Sequence, residues 1–137
     1  MELYIQHIGI CVNDIDQYLE KLKTMCDAKE VGAKRLYIPQ NGQISALVQV
    51  GENSFYELMG PLGDTGVVPK FLAKHGEGFH HIGMYCSDIM ELAKRFEDAG
   101  LHIIGDPKKG NFFSHPKETG GILYEFSSRH DADNGKD

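Results

Sequence analysis

Two observations predict an α+β fold, built from tandem βαβββ repeats that form one curved, mostly antiparallel sheet. The first is an internal repeat. Ile5-Gln6-His7-Ile8-Gly9-Ile10-Cys11-Val12-Asn13-Asp14-Ile15 returns as Phe79-His80-His81-Ile82-Gly83-Met84-Tyr85-Cys86-Ser87-Asp88-Ile89, with His, Ile, Gly, Asp and Ile matching in one ungapped register. The offset is a constant 74 residues in a chain of 137, so the chain is two half-size copies of one unit. The second observation is periodicity. In each copy an alternating stretch, which reads as a strand, passes directly into apolar residues at helical spacing. The expected division is a first unit over 1–59, a linker over 60–78, a second unit over 79–128 and a polar tail over 129–137.

Leu3 to Val12 alternates with Leu3, Ile5, His7, Gly9 and Cys11 on one face, which predicts a strand. Asn13 or Asp14 caps the helix that follows, where Ile15, Tyr18, Leu19, Leu22 and Met25 or Cys26 recur on one side until about Asp27. Glu30 to Ile38, Gln43 to Val50 and Ser54 to Met59 read as three strands. Turns at Pro39-Gln40-Asn41-Gly42 and Gly51-Glu52-Asn53 separate them. The linker carries glycines, two prolines and a turn or two of amphipathic helix around Val67, Val68, Phe71 and Leu72. In the second unit, Phe79 to Cys86 is a strand capped by Ser87 or Asp88. Ile89, Leu92, Ala93 and Phe96 mark a helix that stops at Gly100. Leu101 to Ile104, Asn111 to His115 and Ile122 to Ser127 complete it, and the tail beyond Ser128 is polar and frayed.

Composition narrows the function. A hydrophobic content of 41% and a charged content of 25% fit a soluble chain with its own core. The net charge of −6 argues against nucleic-acid or membrane-surface partners, which call for a basic face. No apolar run is long enough to span a bilayer, and MELYIQHIGI has no signal-peptide character. Cys11, Cys26 and Cys86 are odd in number and lack metal-knuckle spacing, so free thiols in the cytoplasm are expected.

The last strands of the two copies also correspond. Phe55-Tyr56-Glu57-Leu58 resembles Leu123-Tyr124-Glu125-Phe126, now at an offset of 68, so six residues are missing from the second copy before this strand. Each unit therefore offers one histidine from its first strand and one glutamate from its fourth. A single histidine on an apolar strand is ordinarily core, and a single strand glutamate ordinarily faces water. Doubling alters that reading. Two carboxylates meeting in a half-buried cleft repel and lose hydration, so either they do not converge or a cation sits between them. If they converge, His7, Glu57, His81 and Glu125 suit a divalent first-row metal, with Co²⁺, Ni²⁺, Zn²⁺ and Mn²⁺ all compatible.

Tandem βαβββ units with His, Glu, His and Glu at these places resemble the vicinal oxygen chelate superfamily over about residues 3–127. Within it, the resemblance is strongest to methylmalonyl-CoA epimerases. Three stretches carry it: residues 56–64 (YELMGPLGD), residues 71–82 (FLAKHGEGFHHI) and residues 115–125 (HPKETGGILYE). The resemblance implies a metal cleft and an isomerase that moves a proton next to a carbonyl. It implies an acyl-CoA thioester as substrate, His7, Glu57, His81 and Glu125 as metal ligands, and Glu125 or Glu57 as base. Where the epimerases carry a second glutamate base, this chain has Ser45, which has no carboxylate beside it on its strand. That departure favours a glyoxalase-I-like lyase as the alternative. A metal-free small-molecule binding protein is the alternative of another class, though no ligand residue is lost. Ser45, Lys108 and His115 are candidate substrate contacts, while His80 is expected to point away from His81 and pack. Exposed edge strands imply a homodimer.

Overall fold

The computed structural model describes residues 1–129, which form eight strands and three α-helices. The tail expected beyond Ser128 lies, except for Arg129, outside the described residues. In chain order the elements are β1 (Leu3–Cys11), α1 (Ile15–Cys26), β2 (Lys29–Ile38), β3 (Gln43–Val50), β4 (Ser54–Pro61) and α2 (Val67–His75). Then come β5 (Gly78–Cys86), α3 (Ile89–Asp98), β6 (Ile103–Ile104), β7 (Asn111–Ser114) and β8 (Tyr124–Ser127). The strand order is β2-β3-β4-β1-β5-β8-β7-β6. Renumbering the second four strands as the first four makes this order read the same from both ends. Four of the paired ladders, β2 with β3, β3 with β4, β6 with β7 and β7 with β8, are antiparallel, whereas β5 and β8 run parallel.

The described chain forms two compact units. One comprises residues 8–80. There β1 buries side chains on both of its faces. Ile10 and Val12 pack with Ile15, Leu19 and Leu22 of α1 and with Ala46, Val48 and Leu58 of the sheet. Cys11, one residue out of phase, packs with Met59 and with Val68, Phe71 and Leu72 of α2. The stretch expected to hold a turn or two of helix therefore forms a nine-residue helix. Its apolar side covers Cys11 and Met59, and fully burying each such side chain is worth about 1.5–3 kcal/mol. Helix α1 is capped by Asp14, whose carboxylate accepts from the Gln17 amide at 3.0 Å, which settles the choice between Asn13 and Asp14. Between Val31 and Leu36 the β2–β3 register shifts, so β2 bulges there.

The other unit comprises residues 1–7 and 81–129. Its core is Cys86, Ile89, Leu92, Ala93, Phe112 and Phe126, with Phe96 packed against them. The rings of Phe96, Phe112 and Phe126 lie 5.2–5.5 Å apart, centre to centre. Asp88 caps α3 by accepting from the Glu91 amide at 3.0 Å. The later strands are shorter than the sequence suggests. Leu101 is not in β6 because its amide turns back to the Phe96 carbonyl at the end of α3. β7 stops at Ser114, because Pro116 opens a 3-10 turn whose cap is His115. β8 begins at Tyr124, after Gly120 and Gly121 have both turned through positive φ.

Candidate metal centre

Strands β1, β5 and β8 are consecutive in the sheet, and each contributes one side chain to a cluster. His7 and His81 approach through their Nε2 atoms at 3.0 Å, with the rings perpendicular. Glu125 Oε1 lies 3.3 Å from His7 Nε2 and 3.6 Å from His81 Nε2. Both histidines are buried, at 7% and 3% exposed, while Glu125 keeps 22% of its side chain open. Two neutral imidazoles that point lone pairs at each other repel, so this arrangement calls for a proton or a cation between them. A proton on one Nε2 makes the pair an N–H···N hydrogen bond, and the same spacing fits two ligands of one ion. With metal–ligand bonds of about 2.1 Å, neighbouring donors in an octahedron or tetrahedron stand about 3.0 or 3.4 Å apart.

Gly83 makes this approach feasible. It pairs with Glu125 across β5 and β8, and a Cβ built on it would overlap three atoms of the His7 ring. The only side chain that fits there is a hydrogen atom. The sequence carries this signal in both copies, as His-Ile-Gly at 7–9 and 81–83, but the repeat alone does not say that the glycine makes room for a histidine.

Glu57 sits on β4, paired with Leu47, as Glu125 is paired with Phe113 on β7. Among the described residues one group of side chains offers donors spaced for a metal ion. It comprises His7, Glu57, His81 and Glu125, with one donor atom from each, all within 4.8 Å of one another. The charge of Glu57 also reaches Cys11. Burial, chiefly, and the Glu57 carboxylate push that thiol up to about 12, so it stays protonated and inert near neutrality.

The remaining candidates have other surroundings. Ser45 is buried on β3, where its Oγ accepts from Gln43 Nε2 at 2.7 Å. Lys108 is exposed on a 3-10 turn, with its amide held by Asp106. His115 is half-buried, and its Nδ1 accepts from the Lys117 amide at 3.2 Å, which leaves Nε2 to carry the proton and donate. His80 packs edge-on against Phe71, with ring centres 5.1 Å apart, in keeping with a packing role. No helix among the described residues is long and apolar enough to cross a membrane.

Comparison with known proteins gives a consistent picture. The model of the glyoxalase/bleomycin resistance protein/dioxygenase superfamily matches residues 6–115. The ethylmalonyl-CoA/methylmalonyl-CoA epimerase of Cereibacter sphaeroides is 31% identical over 129 residues, covering 88% of this chain and 94% of that one. Among solved structures, methylmalonyl-CoA epimerase from Mycobacterium tuberculosis superposes with a TM-score of 0.79 at 28% identity, covering 90% of this chain and 85% of that one. A variant of the Streptomyces coelicolor epimerase in complex with 2-nitronate-propionyl-CoA gives a TM-score of 0.77 at 27% identity, covering 89% and 94%.

Proposed function

Because the chain belongs to the glyoxalase/bleomycin resistance protein/dioxygenase superfamily, we propose that it is a metal-dependent isomerase acting on an acyl-CoA thioester of the methylmalonyl type. The observation that carries this reading is the donor cluster of His7, His81 and Glu125, with Nε2 and Oε1 atoms 3.0–3.6 Å apart. In this reading His7, Glu57, His81 and Glu125 hold a divalent ion, one of Co²⁺, Ni²⁺, Zn²⁺ or Mn²⁺, and the duplication of the unit at 1–59 as 79–128 supplied the second pair of ligands. When bound, the ion polarises a substrate carbonyl and screens the negative charge that develops there.

The chain's own groups do the rest. Glu125 is the more open end of the triad, which supports its carboxylate as the group that takes the proton from the carbon next to the carbonyl and returns it, with Glu57 as the second carboxylate able to do so. The buried imidazoles fix the position of that carboxylate and keep water from its inner side. His115, with its Nε2 proton free to donate, and the exposed Lys108 ammonium are offered to the substrate, and Ser45 is a third contact. Three free thiols support residence in the reducing cytoplasm, and exposed Leu3 and Ile5 on β1 support a homodimer, which sedimentation would test.

The test is metal analysis of the purified protein, followed by (2R)- and (2S)-methylmalonyl-CoA in heavy water, read by NMR. Deuterium entering at C2 with inversion is expected, and loss of exchange on chelation is expected with it. Absence of a metal, or of exchange in the loaded protein, would overturn the reading. Ser45 in place of a carboxylate favours one alternative, a glyoxalase-I-like lyase. Turnover of methylglyoxal with a thiol, without C2 exchange, would establish it.

A further inference from the structure

Resting on the acyl-CoA reading, with His115 as a substrate contact, we propose that His102 is a positioning residue for His115. It acts through Glu118, which holds the β7–β8 turn that fixes the His115 ring. The sheet register brings the two histidines together. Phe113 pairs with Glu125 across β7 and β8, and Glu125 pairs with Gly83 across β8 and β5, so these residues share the face that carries His81. His115 comes two residues after Phe113 with its backbone still extended, at φ −86° and ψ 119°, and so returns to that face. It stands two strand spacings, or about 10 Å, from β5. On its other side β6 pairs Ile104 with Phe113 and Ile103 with Ser114, and one step further His102 lies opposite His115. The two rings are 6.4 Å apart, edge to face.

Glu118 is fastened twice to the same residue. Its Oε1 accepts from the His102 amide at 2.8 Å, and its Oε2 accepts from the His102 ring Nδ1 at 2.9 Å. These bonds hold the Glu118 carboxyl below the ordinary carboxylate range, the ring bond first, so the tie is in place at neutral pH. From Glu118 a chain of bonds leads back to His115. The Glu118 amide donates to the His115 carbonyl at 2.9 Å, and the Lys117 amide donates to His115 Nδ1 at 3.2 Å. The turn is closed on itself by Gly121, whose amide donates to the Pro116 carbonyl at 2.8 Å, and by Thr119 Oγ1, which donates to the Ile122 carbonyl at 2.6 Å. A turn so closed moves as one piece, and the pair of bonds to His102 ties that piece to the β6 side of the sheet.

The Lys117 bond is where this tie acts on the ring. An amide proton on Nδ1 puts the imidazole proton on Nε2, so His115 presents a donor. At 3.2 Å the bond has little slack, because longer contacts of this kind cease to count as hydrogen bonds. If Glu118 is released, Lys117 beside it shifts too, and the ring is free to take either tautomer. An Nε2 that is an acceptor for part of the time holds a substrate oxygen less well. The loss falls on binding of the thioester and leaves proton transfer at its carboxylates unchanged, so KM rises while kcat holds.

The test joins two readouts. Ring-nitrogen NMR above neutrality reports the His115 tautomer, and calorimetric titration of the Co²⁺-loaded protein reports affinity for methylmalonyl-CoA. The wild type should show the Nε2–H tautomer. His102→Ala should turn this into a mixture and weaken methylmalonyl-CoA by about three- to tenfold. His102→Asn puts an amide donor where the ring Nδ1 stands, and should restore both readouts. The His102 side chain is 77% exposed, so neither variant opens the core, and both should keep the wild-type metal content. A His115 tautomer that His102→Ala leaves unchanged overturns the proposal while the acyl-CoA reading stands. So does an affinity that holds while the tautomer changes, or a failure of His102→Asn to rescue. A wild type that does not bind methylmalonyl-CoA overturns the acyl-CoA reading, and the role of His102 with it.

Discussion

The two halves of the repeat have been kept alike in some places and allowed to drift in others. In both, a nine-residue strand carries His-Ile-Gly, an aspartate caps the next helix at 3.0 Å, and a glutamate stands on the fourth strand. Their cores differ. The first half packs Val48, Leu58 and Ala46 against α1, while the second packs Phe112, Phe126 and Phe96 against one another. The middle strands differ more. β2 and β3 have ten and eight residues, whereas β6 and β7 have two and four. On the proposed metal reading, ligands tolerate shifts of only a few tenths of an ångström, so the elements that aim these four side chains are the ones expected to stay alike. A core needs only apolar volume of the right total, and a middle strand remote from the ligands is freer still.

Breaking each core in turn should give the largest effects. Phe112→Ala removes a fully buried ring from a three-ring cluster, and should cost about 3–5 kcal/mol in urea unfolding. Leu58→Ala, equally buried in the core of the first half, should cost about 2–5 kcal/mol. An order-of-magnitude reversal would mean that the aromatic core is the looser of the two.

Gly83→Ala sharpens the comparison at the site. The added methyl group overlaps the His7 ring, so metal affinity should fall by about 100-fold or more, measured by competition with a chelator of known affinity. Gly9→Ala should do the same if the duplication is symmetric at this level, and a tenfold smaller loss would show that it is not. Asp14→Ala and Asp88→Ala each remove one helix cap and should each cost about 1 kcal/mol, read as a fall in the denaturation midpoint.

The smallest effect concerns the second half alone. Glu118 is held below the ordinary carboxylate range, first by its side-chain hydrogen bond with His102 at 2.9 Å and also by the His102 amide at 2.8 Å. A carboxylate with a depressed folded-state pKa stabilises above its unfolded value and stops doing so as pH falls through the folded one. Exchange of the His102 amide should therefore quicken only in acid, below the ordinary carboxylate range, and a change beginning near neutrality would refute the assignment.

Much of this was legible in the chain itself. The repeat, the change of period after each copy and the twin glutamates gave the α+β class and the four candidate ligands, because local alternation and helical spacing are properties of neighbours in sequence. Other features depend on residues far apart in the chain. The length of α2 follows from Cys11 and Met59 needing cover. The shortening of β6 follows from the Leu101 amide bonding to Phe96. The place of Gly83 beneath a ring 76 positions earlier, and the hydrogen-bonded row from Asn41 through Gln43 to Ser45, needed coordinates. Sequence determined which residues were available for chemistry. Tertiary structure decided which of them meet, because contact distances are set by the packing of the whole chain.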